Sequence, residues 1–147
     1  MGPFDIKSAL LARHAQHVVL VHFPIALFVA GVAFDLIGQW RQKAALAAAA
    51  YYNLLLAALS SLPVMATGLL AWQWQLEGSR LRGNLLLHLL LGILSSLLMW
   101  ATLWTHTRLR RRPGLPAPFY RIPLEVTAVA VVALTGHLGG FLSGVNG

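Results

Sequence analysis

The chain has 147 residues, 58% of them hydrophobic and 10% charged, with a mean hydropathy of +0.70. A soluble domain carries about a quarter charged residues, so this composition excludes an ordinary soluble domain and points to a membrane protein. The net charge of +7 comes from 11 Lys and Arg against 4 Asp and Glu, but no soluble, interleaved basic surface exists to make a nucleic-acid footprint. There is no cysteine, which excludes disulfides, thiolate-bound metals, iron–sulfur clusters and thioether-attached haem.

Four apolar stretches, 18–39, 46–72, 85–105 and 123–142, each supply about the 20 residues that a helix needs to cross a bilayer. The connections WRQKA, QWQLEGSRLRGN and THTRLRRRPGLPAPFYR leave no room for an extramembrane domain. The first stretch is too long, and too weakly preceded by positive charge, for a typical cleaved signal peptide and is read as a mature helix. The expected fold is an all-α, four-helix transmembrane bundle forming a single domain, 1–147, with both termini on one side. Pro123 suits the first turn of the fourth helix, whereas Pro24 and Pro63 fall inside helices and predict local kinks.

Orientation follows from Lys and Arg near the span ends. Loops one and three carry Arg41, Lys43, Arg108, Arg110, Arg111, Arg112 and Arg121; the other side carries Lys7, Arg13, Arg80 and Arg82. In a bacterial inner membrane this places loops one and three in the cytoplasm and both termini in the periplasm. The run Arg108 to Arg112 also predicts contact with anionic membrane lipid.

Three histidines then fall at one depth. His22 and His88 lie about one and a half turns inside the first and third helices, and His137 a similar distance before the fourth helix ends, so all three sit roughly 6–9 Å below the periplasmic interface. Helical spacing groups His22 with Ala26, Val29, Ala30 and Ala33, His88 with Gly92, Ser95 and Ser96, and His137 with Ala130, Ala133, Gly140 and Gly144. Small-residue stripes are the faces that membrane helices turn towards one another, so all three imidazoles are expected to point into the bundle. Each alone is equally compatible with a hydrogen bond between helices; the three together favour a bound cofactor or metal. His14 and His17, three residues apart at the water boundary, read as solvated, with His17 a minor candidate ligand. His106, beside the arginine run, reads as snorkelling.

Neutral imidazole is a ligand of haem b, copper and zinc. Haem b suits two opposing histidines and a slot walled by small residues, here Gly92, Gly139 and Gly140. Zinc or copper needs three or four ligands converging on one point, and Asp35 lies towards the opposite end, where Glu125 is expected to cap the fourth helix. Haem b is therefore preferred, with His137 as one axial ligand, His22 the first choice opposite it and His88 the second.

The stretches HVVLVHFPIALFVAGVAFDLI, VMATGLLAW and TGHLGGFLSGV resemble the bacterial membrane family catalogued as domain of unknown function 2231. The resemblance covers most of the chain. Family members with both histidine motifs are found joined to, or encoded with, c-type cytochrome modules, which implies a redox setting. This chain departs from the family at His17-Val18, where members often read His-Pro, and at Ala71, where an acidic residue is typical.

Trp72 and Trp74 on one side, with Trp40, Trp100 and Trp104 on the other, form the aromatic belt expected at membrane interfaces; a quinone site near Trp72 and Trp74 is the sharper alternative. Thr67 beside Gly68 can supply a hydroxyl to the histidine layer. Asp35 is a membrane-embedded carboxylate that Arg41 or Lys43 can reach by snorkelling. No Ser-His-Asp set, phosphate loop or acid pair is present, so an autonomous hydrolase is not expected. The expected role is an electron-transfer subunit between quinone or a partner haem and a periplasmic c-type cytochrome. The alternative is a cofactor-free anchoring or assembly subunit of a larger membrane complex.

Overall fold

Helix boundaries follow from the few residues that cannot continue a helix. The computed structural model describes residues 13–143 apart from 76, 77, 79, 113 and 115, and the side chains of residues 13–15, 74 and 75 lie outside that description. Helix α1 spans Arg13–Leu20 and α2 spans His22–Arg41. Pro24 has no N–H to give to the Leu20 carbonyl. The chain turns at Val21, whose own N–H still reaches the His17 carbonyl at 3.0 Å. The two pieces make one crossing, Gln16–Arg41, with a break near its start. At the other end Gln42 takes a left-handed conformation, φ 52°, and reverses the chain within two residues.

Helix α3 spans Ala44–Gln75, α4 spans Gly83–Arg111 and α5 spans Arg121–Leu142. The first two run past the expected stretches 46–72 and 85–105. Alanine-rich 44–50 and the arginines after His106 are good helix formers, and a helix does not stop where the hydrocarbon does. Pro63 sits inside α3 without ending it. Four helices are long and apolar enough to cross a membrane, and no strand occurs among the described residues. The protein is a four-helix transmembrane bundle, and four crossings leave its two ends on one side.

Packing runs mainly between α2 and α3 and between α4 and α5, with α3–α4 and α2–α5 contacts closing the bundle. Lipid is as apolar as leucine, so close backbone approach rather than hydrophobicity drives such contacts. Gly31 is the tightest case: a Cβ there would lie 2.9 Å from Leu54 Cγ. Phe28, Val32, Leu54, Ala57, Met99, Ala128 and Val132 fill the centre. Hydroxyls tie the helices across it, Ser61 to Ser96 at 3.0 Å and Ser95 to Thr135 at 2.8 Å. Large apolar side chains such as Leu56, Leu97 and Val126 face outward, as lipid permits.

Candidate functional site

Above that core, at the end holding the α3–α4 loop, the helices part around a cavity of about 650 Å³, within the roughly 300–1,000 Å³ typical of ligand sites. Met99 and Val132 form its floor, and its polar lining includes His17, His22, His88, Ser95 and Thr135. Gly68, Gly92, Gly136, Gly139 and Gly140 form parts of the wall.

The break at Val21 delivers two imidazoles from one strand of chain. His22 Nδ1 lies 2.7 Å from the Val18 carbonyl. A carbonyl only accepts, so Nδ1 carries the proton and Nε2 of the neutral ring keeps its lone pair. His17 Nδ1 lies 3.2 Å from Thr67 Oγ1. The Thr67 hydroxyl donates to the Pro63 and Val64 carbonyls at 2.9 and 3.0 Å, so it accepts from His17, whose ring also interacts with the Val64 backbone. Thr67 thus has the supporting role expected of it. From the opposite side comes His88, within electrostatic reach of His17. The backbone of Thr135 interacts with the His88 ring, yet its Nδ1 is buried and lacks a hydrogen-bond partner.

Glycines seat two of these rings. A Cβ at Gly68 would lie 3.0 Å from His17 Cε1, and one at Gly139 would lie 3.0 Å from His88 Cε1. Gly139 was expected to make room for a macrocycle; here its missing side chain makes room for an imidazole. Gly92 and Gly140 also line the cavity, and a Cβ at Gly92 would meet Met65 Sδ at 3.9 Å.

His137 does not take the inward position expected of it. It is exposed, lies outside the cavity lining, and packs edge-on against Phe141 with ring centroids 5.0 Å apart. The inner face of α5 is instead Glu125, Ala128 and Val132, continued by Thr135, Gly136 and Gly139. One step of about 100° from Gly136 carries His137 off that face. The stripe Ala26, Val29 and Ala33 likewise faces outward, and the buried stripe of α2 is Pro24, Phe28, Gly31, Val32, Asp35 and Gly38. Ser95, in the stripe of His88, is buried. Gly144 and the side chains of His14 and Trp74 lie outside the described residues; Trp72 lines the cavity.

The family profile described as "Predicted membrane protein (DUF2231)" matches residues 13–147. The chain belongs to this family. No curated protein and no solved structure matches it.

This DUF2231 member carries a second polar group at the opposite end of its bundle. Asp35, His106 and Glu125 are all buried. Arg121 binds Asp35 through Nη2 and Glu125 through Nε at 3.4 Å. His106 Nε2 meets Glu125 Oε1 at 2.8 Å, and Gln39 donates to Asp35 Oδ2 at 2.6 Å. Three expectations change. Asp35 is held by Arg121, not by Arg41 or Lys43: Arg41 lies over the Trp40 ring, 4.7 Å from its centroid, and Lys43 is exposed. His106 does not snorkel but is buried against Glu125. Glu125 faces the bundle rather than capping its helix. The available signal was register: Asp35, His106 and Glu125 each lie seven residues, two turns, from Phe28, Met99 and Val132.

Proposed function

We propose that this protein is a b-type haem electron-transfer subunit of the bacterial inner membrane, with the histidine cavity on the periplasmic side. The observation that carries this reading is the approach of His17 and His88 from separate helices across one cavity, with His17 fixed through Nδ1 by Thr67. Fixing a histidine through its second nitrogen is the usual support of a metal-ligating imidazole. The unpartnered Nδ1 of His88 marks a ring whose surroundings are incomplete without an occupant. Haem b would supply a one-electron centre there.

The roles of the residues follow. His17 and His88 would hold the haem iron. His22, its Nε2 free, stands at the exposed rim as the reserve ligand. Gly68 and Gly139 let the rings seat, and apolar lining such as Ile25, Leu89 and Met99 excludes water. His137, outside the lining, is not a ligand in this reading. Copper or zinc is disfavoured: among the described residues, the three acidic or imidazole groups whose ligand atoms come within 4.8 Å of one another are Asp35, His106 and Glu125, and the cavity histidines form no such set. Electrons would pass between the quinone pool or a partner haem and a periplasmic c-type cytochrome, with Trp72 in the lining offering a flat ring to a quinone.

The reduced-minus-oxidised visible spectrum and pyridine haemochrome of purified protein test this directly. One low-spin haem b per chain is expected. Folded protein without haem would leave the cofactor-free anchoring role.

A further inference from the structure

We propose that the His106–Glu125 pair is a proton-binding site buried in the membrane, separate from the histidine cavity. Its first support is charge. Two carboxylates, Asp35 and Glu125, face one guanidinium, Arg121, so with a neutral imidazole the group carries one uncompensated negative charge. Side-chain exposures are 2% for Asp35, 0% for Glu125, 6% for His106 and 13% for Arg121. An unbalanced charge so far from water costs several kcal/mol. One added proton makes the group neutral.

The hydrogen bonds restrict where that proton sits. Both oxygens of Asp35 already accept, from Arg121 Nη2 and from Gln39 Nε2, so a proton on Asp35 would require the Gln39 amide to turn round. Glu125 Oε1 accepts from Arg121 Nε and shares a hydrogen bond with His106 Nε2. Glu125 Oε2 is fully buried with no partner, an arrangement far costlier for an ionised oxygen than for a hydroxyl. The proton therefore belongs to the Glu125 carboxyl or to the His106 ring, which meet at 2.8 Å. A divalent ion is the poorer occupant, because the Arg121 guanidinium already stands among the same oxygens.

Among the described residues, no ion pair other than that with Arg121 supplies the missing charge. Between Ala44 and Gln73, α3 has no Asp, Glu, Lys, Arg or His; its nearby Tyr51 lies under Arg110, 4.2 Å from the ring centroid. Arg108 lies over Trp104 and Arg41 over Trp40, all three cations being exposed. The layer of Phe28, Met99 and Val132, about 10 Å along the helices, separates the pair from the cavity. The site is therefore independent of what the cavity holds.

Glu77 and Glu125 are the two glutamates of the chain, so wild-type protein in lipid nanodiscs, 13C-labelled at glutamate carboxyls and 15N-labelled at histidine, reports the site without mutation. Infrared difference spectra and nitrogen spectra at neutral pH are expected to show either a glutamic-acid carbonyl band or a doubly protonated ring. Raising the pH should remove one proton per chain. Glu125→Gln or His106→Gln, whichever is recovered folded, should abolish that release. An ionised Glu125 beside a singly protonated His106 ring at neutral pH in the wild type would overturn the proposal, as would saturation of the pair by zinc at neutral pH with displacement of Arg121.

Discussion

The imidazole of His88 rests on Gly139, where a Cβ would come within 3.0 Å of Cε1. That contact joins α4 to α5 at the cavity wall and leaves little room for a side chain at position 139. Gly139→Ala should be tolerated, since the ring can swing by a few tenths of an ångström. Gly139→Leu overfills the seat and should cost about 1–3 kcal/mol, while displacing His88 into the cavity. Thermal unfolding in detergent checks the stability, and the haem content of the same sample checks the displacement. Gly92→Ala, at a position whose nearest neighbour would be Met65 Sδ at 3.9 Å, should change neither.

The three cavity histidines and His137 should separate cleanly. His17→Ala and His88→Ala should each remove the haem or convert its low-spin spectrum, because an axial ligand sets both binding and spin state. His22→Ala should leave ligation intact, and so should His137→Ala, whose ring meets Phe141. Thr67→Val should retain haem but alter its potential, because the hydroxyl that fixes the His17 tautomer is gone. A His137→Ala protein without haem would restore His137 as the ligand.

The buried ion pair gives a stability prediction that the surface cations do not share. Arg121→Met leaves Asp35 and Glu125 without their cation in the bundle, and breaking a buried pair from one side costs about 3–5 kcal/mol. Arg41→Ala and Lys43→Ala, at exposed positions, should fall within about 0.5 kcal/mol of wild type. Unfolding of the three variants in one detergent compares them directly.

Span number was legible because a run of about 20 apolar residues matches the thickness of a bilayer and outlasts an ordinary core helix. Helix facing was less so. Alanine on α2 and α5 marks lipid as readily as a neighbour: Ala26, Ala33, Ala130 and Ala133 all face outward, while Gly31 and Gly38 make the close contacts. His137 was misplaced for that reason, since its stripe was judged by residue size. The stripe of Gly92, Ser95 and Ser96 that places His88 inward does face the bundle, because Ser95 and Ser96 find hydroxyl partners across it. The Asp35–Arg121 pair joins residues 86 apart in sequence, and no local pattern announces a partner across two intervening helices. Thr67 was legible as a supporting hydroxyl because it lies next to Gly68, on which His17 packs.

Orientation supplies the last test. The loops between α2 and α3 and between α4 and α5, with their adjoining helix ends, hold seven of the eleven Lys and Arg residues, and the bias of short loops sets which side stays in the cytoplasm. A reporter inserted at the turn residue Gly114 should therefore be cytoplasmic, and one joined after Gly147 periplasmic. Replacing Arg108, Arg110, Arg111 and Arg112 together by alanine leaves three cations on that side against four on the other. The variant should lose its bias and show mixed or inverted reporter activity. Replacing Arg80 and Arg82 instead should leave the orientation unchanged, because it widens the same difference. If the unaltered chain placed Gly114 in the periplasm, the histidine cavity would open to the cytoplasm, and a periplasmic cytochrome could not be its direct partner.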